Sequence, residues 1–141
     1  MEFTHSLTSV LPALLGRLKH LFDLSARPDR IAALLGQDPL LAETVAKHPG
    51  LRVPGAFDDF EMTVRAILGQ QITVKAATTI ACPFAEAFGE PFETPVPGLA
   101  RLSPRAEVVA RASIDDIAKL GIVSARSRTI LALALAFHSG G

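Results

Sequence analysis

A chain of 141 residues fits one domain able to bury a core of its own, and its 14 Lys and Arg against 14 Asp and Glu leave no formal net charge. With 49% apolar residues the composition is globular rather than disordered, and zero net charge excludes a protein that coats nucleic acid through bulk positive charge. No window approaches the ~18 uninterrupted apolar residues of a membrane span, and Glu2 precedes any basic residue, unlike a secretory signal, so a cytoplasmic protein without a membrane partner is expected.

The periodicity is helical almost throughout. Residues 1 to 8 lack a pattern and read as an irregular segment or the remnant of a preceding domain, with a helical domain over 9–141. Leu11, Leu14, Leu15, Leu18 and Phe22 form the apolar stripe of an amphipathic helix from about Ser9 to Phe22. A short helix starts near Pro28 and stops at Gly36, and another runs through PLLAETVAKH to Pro49-Gly50. After the loop GLRVPGAF, Asp58 and Glu61 have capping-box-like spacing ahead of the stripe Phe60, Val64, Ile67 and Leu68, which should end at Gly69.

Thr73 can cap the next helix, which carries a face of mostly small residues and ends at Gly89. Pro83 inside it removes an amide donor at a cost of ~3 kcal/mol, so a kink or break is expected near Ala81-Cys82. EPFETPVPGLARL reads as a surface loop. Ser103 is then expected to cap a helix with Pro104 at its first position. Ser113 begins another, with Asp115 and Asp116 in its first turn and Gly121 beyond its end, and a last helix spans Ser124 to His138. ILALALAF is apolar all round. That helix is either central to the domain or short of cover, and a patch around Ile130, Leu133 and Phe137 is expected to drive self-association.

Few residues are arranged for catalysis. His5, His20, His48 and His138 are scattered, and the single Cys82 lies in an apolar stretch where a buried small hydrophobe is expected, so neither a metal site nor a disulfide nor any cofactor is anticipated. No nucleophile elbow, P-loop or dinucleotide fingerprint occurs. Asp58-Asp59 and Asp115-Asp116 sit at helix starts, where the amide dipoles favour acids, and Asp23 and Asp29 flank a turn. Six bases against three acids between Arg101 and Arg128 could face a phosphate backbone or form a solvated surface.

RAILGQQITVKAA places Gln70 and Gln71 directly after a glycine between two helices. One reading has Gln70 bonding a helix end while Gln71 faces water. The other has a rigid elbow presenting flat amides to a groove, to base edges or to the space left by an extruded base, with Thr73 and the next helix start meeting a phosphate and Lys75 adding charge.

GLRVPGAFDDFEMTVRAILGQQITVKAATTIA, a Pro-containing loop and ASIDDIAKLGIVSARSRTILALA, in that order, resemble the DNA-3-methyladenine glycosylase II family of the helix-hairpin-helix DNA glycosylase superfamily. The resemblance spans nearly the whole chain, and Pro49 to Ala77 is its specific part. It implies an all-α, compact orthogonal bundle of about six to eight helices, a partial helix-hairpin-helix glycosylase domain. It further implies a protein that flips alkylated bases out of double-stranded DNA and cleaves the N-glycosidic bond, Gln71 taking the position that wedges into the duplex and Gln70 lying beside the lesion or the facing base.

The family's Leu-Pro-Gly-Ile-Gly-like hairpin and its catalytic aspartate have no counterpart in these 141 residues, and Trp and Tyr are absent. No catalytic residue is therefore expected in this chain, which by itself should be inactive; the DNA-binding candidates are Gln70, Gln71, Thr73 and Lys75. A different class of reading is a non-catalytic helical interaction module that self-associates through its apolar C-terminal helix.

Overall fold

The computed structural model describes residues 5–140, which form a 3-10 turn, His5–Val10, and eight α-helices: α1 Leu11–Leu21, α2 Pro28–Leu35, α3 Ala42–Lys47, α4 Asp59–Gly69, α5 Val74–Phe88, α6 Ala106–Val109, α7 Ile114–Ala118 and α8 Ser124–His138. The only sheet-like pairing among the described residues is an isolated antiparallel bridge, Pro91 to Arg101. The expected all-α class and helix number are thus met. Of the segment expected to be irregular, residues 1–4 lie outside the described residues and the rest begin the 3-10 turn.

The chain divides into two units, the first ending at Phe57 and the second starting at Asp58. In the first, Leu11, Leu14, Leu18 and Leu21 form the half-buried stripe of α1, while Leu15 and Phe22 are exposed. The loop after α3 returns to the end of α1. Asp23, at φ +50°, accepts the Val53 amide on its carboxylate at 3.2 Å and the Arg52 guanidinium on its carbonyl, and the Gly55 amide donates to the Leu21 carbonyl at 3.0 Å. A Cβ at Gly55 would stand 2.9 Å from the His20 carbonyl oxygen, so this approach requires glycine.

The second unit holds the buried apolar core. Phe60, Val64, Ile67 and Leu68 of α4 meet Phe84 of α5, Ala106 and Val109 of α6, Ile117 of α7, Ile122, and Ile130 and Ala134 of α8. α8 packs against α4, α6 and α7. Its one buried polar side chain, Ser127, donates to the Ile122 carbonyl at 3.2 Å, so burial leaves no unpaired hydroxyl.

Several expectations are corrected here. Ile130, expected in an exposed patch, is fully buried, and Phe137 packs edge-on against Phe60 with ring centroids 5.5 Å apart, although Leu135 remains half exposed. α5 runs unbroken through Pro83, because Ile80, Ala81, Phe84 and Phe88 pack into or against the core on both sides of it and hold the helix together across one missing rung. Cys82, expected to be buried, is exposed, since only one face of α5 turns inward.

Ser103 does not cap α6. That helix starts at Ala106 with Arg105 as its flanking residue, because the preceding segment is tied back to the end of α5: Leu102 N donates to the Glu90 carbonyl at 2.9 Å, Arg101 to the Gly89 carbonyl at 2.7 Å, and Arg105 pairs with Glu90 at 2.6 Å. Local capping chemistry yields there to a long-range tie.

Candidate nucleic-acid interface

The junction of α4 and α5 is built from both sides. Asp58 accepts the Glu61 amide at 2.7 Å and starts α4, and Glu61 in turn pairs with Arg65 rather than closing a full capping box. The buried face of α4 then fixes where Gly69 and Gln70 emerge. On the far side, Thr73 Oγ1 accepts the Ala76 amide at 3.2 Å and starts α5. By helical geometry the Val74 and Lys75 amides have no acceptor within the helix.

Between these caps the chain reverses in three residues. Gln70 is extended at φ −58°, ψ 125°, and its amide reaches the Ile67 carbonyl at only 3.5 Å; the Ile72 amide reaches Gly69 at 3.4 Å. Gln71 sits at φ +56°. The left-handed conformation therefore falls on a glutamine and not on the neighbouring glycine, in a region where a side chain costs ~1–2 kcal/mol. Gly69 is the last residue of α4, and a Cβ there would meet only Ala77 Cβ, at an ordinary 3.8 Å.

Gln70, Gln71, Thr73 and Lys75 are all exposed and share this one elbow. Neither glutamine side chain makes a hydrogen bond among the described residues, so the reading in which Gln70's amide satisfies the helix end is not what the structure adopts. Lys75 has no acidic partner among the described residues, while the Thr73 hydroxyl is engaged in capping.

Sequence reasoning missed Arg126. Its guanidinium, in the first turn of α8, donates to the Gln70 carbonyl oxygen at 2.5 Å across a separation of 56 residues. The signal available was the basic stretch from Arg101 to Arg128, but most of that charge has internal work: Arg101 and Arg105 tie the α5–α6 connection, and Lys119 pairs with Asp116 at 2.5 Å. Arg111 and Arg128 have no ion pair among the described residues.

Beside the elbow lies a cleft of about 260 Å³ lined by Arg65, Leu68, Gly69, Ile72, Val74 and Ala77, and a larger one of about 470 Å³ opens between α4, α5 and the loop after α5, with Cys82 in its wall. No group of three metal-ligating side chains occurs among the described residues, and no helix there is long and apolar enough to cross a membrane.

Several carboxylates take structural parts. Ser113 and Asp116 form a reciprocal capping box at α7, where Asp116 also receives Lys119; the Lys119 ammonium, then the Ser113 amide and hydroxyl, hold the Asp116 carboxyl far below the usual carboxylate range.

Residues 1–58 match the family described as the AlkA N-terminal domain. The chain is 40% identical over 117 residues to a probable bifunctional transcriptional activator/DNA repair enzyme AlkA of Mycobacterium tuberculosis, covering 83% of this chain and 23% of that protein. It is 36% identical over 90 residues to the DNA-3-methyladenine glycosylase 2 of Escherichia coli, covering 64% of this chain and 30% of that one. Among solved structures it superposes on MBOgg1 in complex with a low affinity DNA ligand with a TM-score of 0.71 at 24% identity, over 92% of this chain and 44% of that one, a likeness of fold. The chain thus spans less than half the length of each of these proteins. None of them points to a non-catalytic interaction module. Residues 1–58 thus carry the AlkA N-terminal domain pattern, and the chain is similar to an AlkA DNA repair enzyme and to a DNA-3-methyladenine glycosylase over a minor part of the length of each.

Proposed function

We propose that the chain is part of a cytoplasmic DNA repair glycosylase that flips alkylated bases out of double-stranded DNA and hydrolyses their N-glycosidic bonds, and that the elbow of Gln70, Gln71, Thr73 and Lys75 is its duplex-facing surface. The observation that carries this reading is Gln71: a non-glycine residue in the left-handed region, exposed and with no side-chain hydrogen bond among the described residues, at the tip of a helix junction. Backbone strain of that kind persists where the surroundings impose it and is most common at functional positions. A flat amide held there can fill the space of an extruded nucleotide and offset part of the few kcal/mol that unstacking costs.

Thr73 belongs to this surface through its position, its hydroxyl serving the α5 cap, while the Val74 and Lys75 amides and the Lys75 ammonium can take a phosphate. Chemistry is assigned to the longer protein, and the 141 residues alone should release no base; of their carboxylates, Asp58 and Asp116 cap helices and Glu61 and Glu90 are held in ion pairs.

The test uses the longer glycosylase and a duplex containing an alkylated base. Gln71→Ala should weaken lesion binding by roughly 1–3 kcal/mol, the worth of one base contact, while leaving the melting temperature nearly unchanged. Gln71→Leu should be the milder change, since an apolar wedge also occupies an opened step. A Gln71→Ala protein that melts several degrees lower yet binds and excises normally would make the glutamine a junction residue and end this reading.

A further inference from the structure

We infer that Arg126 is the positioning residue of the elbow: its bond to the Gln70 carbonyl holds the following residue, Gln71, in the left-handed conformation that presents its amide outward. The inference rests on the reading of Gln71 as the residue that faces the duplex. Within the elbow the backbone is loosely tied, at 3.5 Å from Gln70 N to Ile67 and 3.4 Å from Ile72 N to Gly69, whereas the Arg126 contact is short and charge-assisted. The guanidinium comes from a fixed platform. Ser127 and Ile130, on the same turn and the next, are fully buried, and α8 packs directly on α4, so Arg126 is anchored to the helix whose end it grips.

Gly69 is not the left-handed residue and so cannot relieve the turn. The conformational cost at Gln71 must be met by whatever fixes the peptide on either side of it, and the Arg126 bond fixes one side, with the Thr73 cap on the other. Arg126 has no carboxylate partner among the described residues, and a guanidinium has further donors to spare. The bond thus also leaves a positive charge beside the elbow, and a direct phosphate contact is the rival account.

The experiment uses the 141-residue chain, isotopically labelled for NMR. In Arg126→Ala, exchange of the Gln70 and Ile72 amides, the two with backbone acceptors in the elbow, should speed about tenfold, in line with loss of one charge-assisted bond. The strong intraresidue amide-to-Hα cross-peak that marks a left-handed Gln71 should weaken, while protection of the α4, α5 and α8 interiors stays at wild-type level. Arg126→Lys, which keeps a cationic donor, should recover part of both signals. Elbow exchange and the Gln71 cross-peak unchanged in Arg126→Ala would overturn the inference and leave Arg126 to the phosphate account; so would a uniform loss of protection through the second unit, which would make Arg126 a general packing residue.

Binding of Gln71→Ala and wild-type longer protein to the alkylated duplex is measured alongside. Equal affinities with a loosened elbow in Arg126→Ala would sink the duplex-facing reading of Gln71 and leave the Arg126 clasp standing.

Discussion

Arg126 Nη2 lies 2.5 Å from the carbonyl oxygen of Gln70, and the peptide that begins at that carbonyl carries Gln71 to φ +56°. A residue 56 positions away in sequence thereby stabilises a conformation that the local sequence disfavours. Glycine would take the same turn without strain, so under the proposed function it is the Gln71 side chain, rather than its backbone, that the position needs.

This separates stability from function at one position. Gln71→Gly should stabilise the fold, since relief of the left-handed cost outweighs the extra freedom glycine gains when unfolded, for a net of about 0.5–1 kcal/mol. Thermal denaturation of the two chains decides it: a melting temperature a few degrees higher is the expected result, and a lower one would mean that the Gln71 side chain contributes packing that its exposure conceals.

At the other end of α5 the demand is the reverse. A Cβ on Gly89 would stand 2.3 Å from the Leu102 carbonyl oxygen and 2.5 Å from that of Ala85, both backbone atoms that cannot turn aside. Gly89→Ala should therefore push apart the end of α5 and the segment that the Leu102–Glu90 bond and the Arg101 contact hold against it, costing about 1–3 kcal/mol. Urea denaturation should register that loss; a midpoint equal to wild type would mean that this connection yields freely.

Acid should act on α7 late. Because the folded Asp116 carboxyl titrates well below its unfolded value, its contribution is complete above the ordinary carboxylate range of about pH 4 and is lost as pH falls from there toward the folded value. Asp116→Asn should flatten the decline of melting temperature between about pH 4 and 2. The effect should shrink in high salt, since the Lys119 partner is two-thirds exposed. Identical pH profiles for the two chains would remove Asp116 as the source.

How much was legible in the sequence follows from the range of the forces involved. Asp58, Thr73 and Ser113 cap the helices expected of them, and α8 keeps the bounds Ser124 to His138, because capping and apolar periodicity act within a few residues. What escaped was set at a distance. The Glu90 ties delay α6 to Ala106, core packing on both sides carries α5 through Pro83, and Arg126 reaches the elbow from another helix. Cys82 is exposed because α5 buries only one face, so lying in an apolar stretch does not by itself bury a residue. The elbow residues were found together because they are contiguous; that the strain would settle on Gln71 instead of Gly69 is a property of the caps on both sides.

α8 carries the last expectation. Its inward face is filled by Ser127, Ile130 and Ala134, yet Leu135 is 50% and Phe137 44% exposed on the same helix, with Phe137 held only at its edge by Phe60. Apolar side chains left in water gain by meeting another apolar surface, at ~25 cal/mol per Å² covered, so the isolated 141-residue chain should self-associate reversibly at high concentration. Leu135→Lys should weaken that association without loss of fold, because the position faces solvent in the single chain and a lysine there keeps helix propensity. Sedimentation over a wide concentration range would measure both proteins. A monomer throughout for the wild-type chain, with no binding of a dye for apolar surface, would mean that the Phe60–Phe137 contact and the half-buried Leu133 already cover enough of α8 to leave it stable in water.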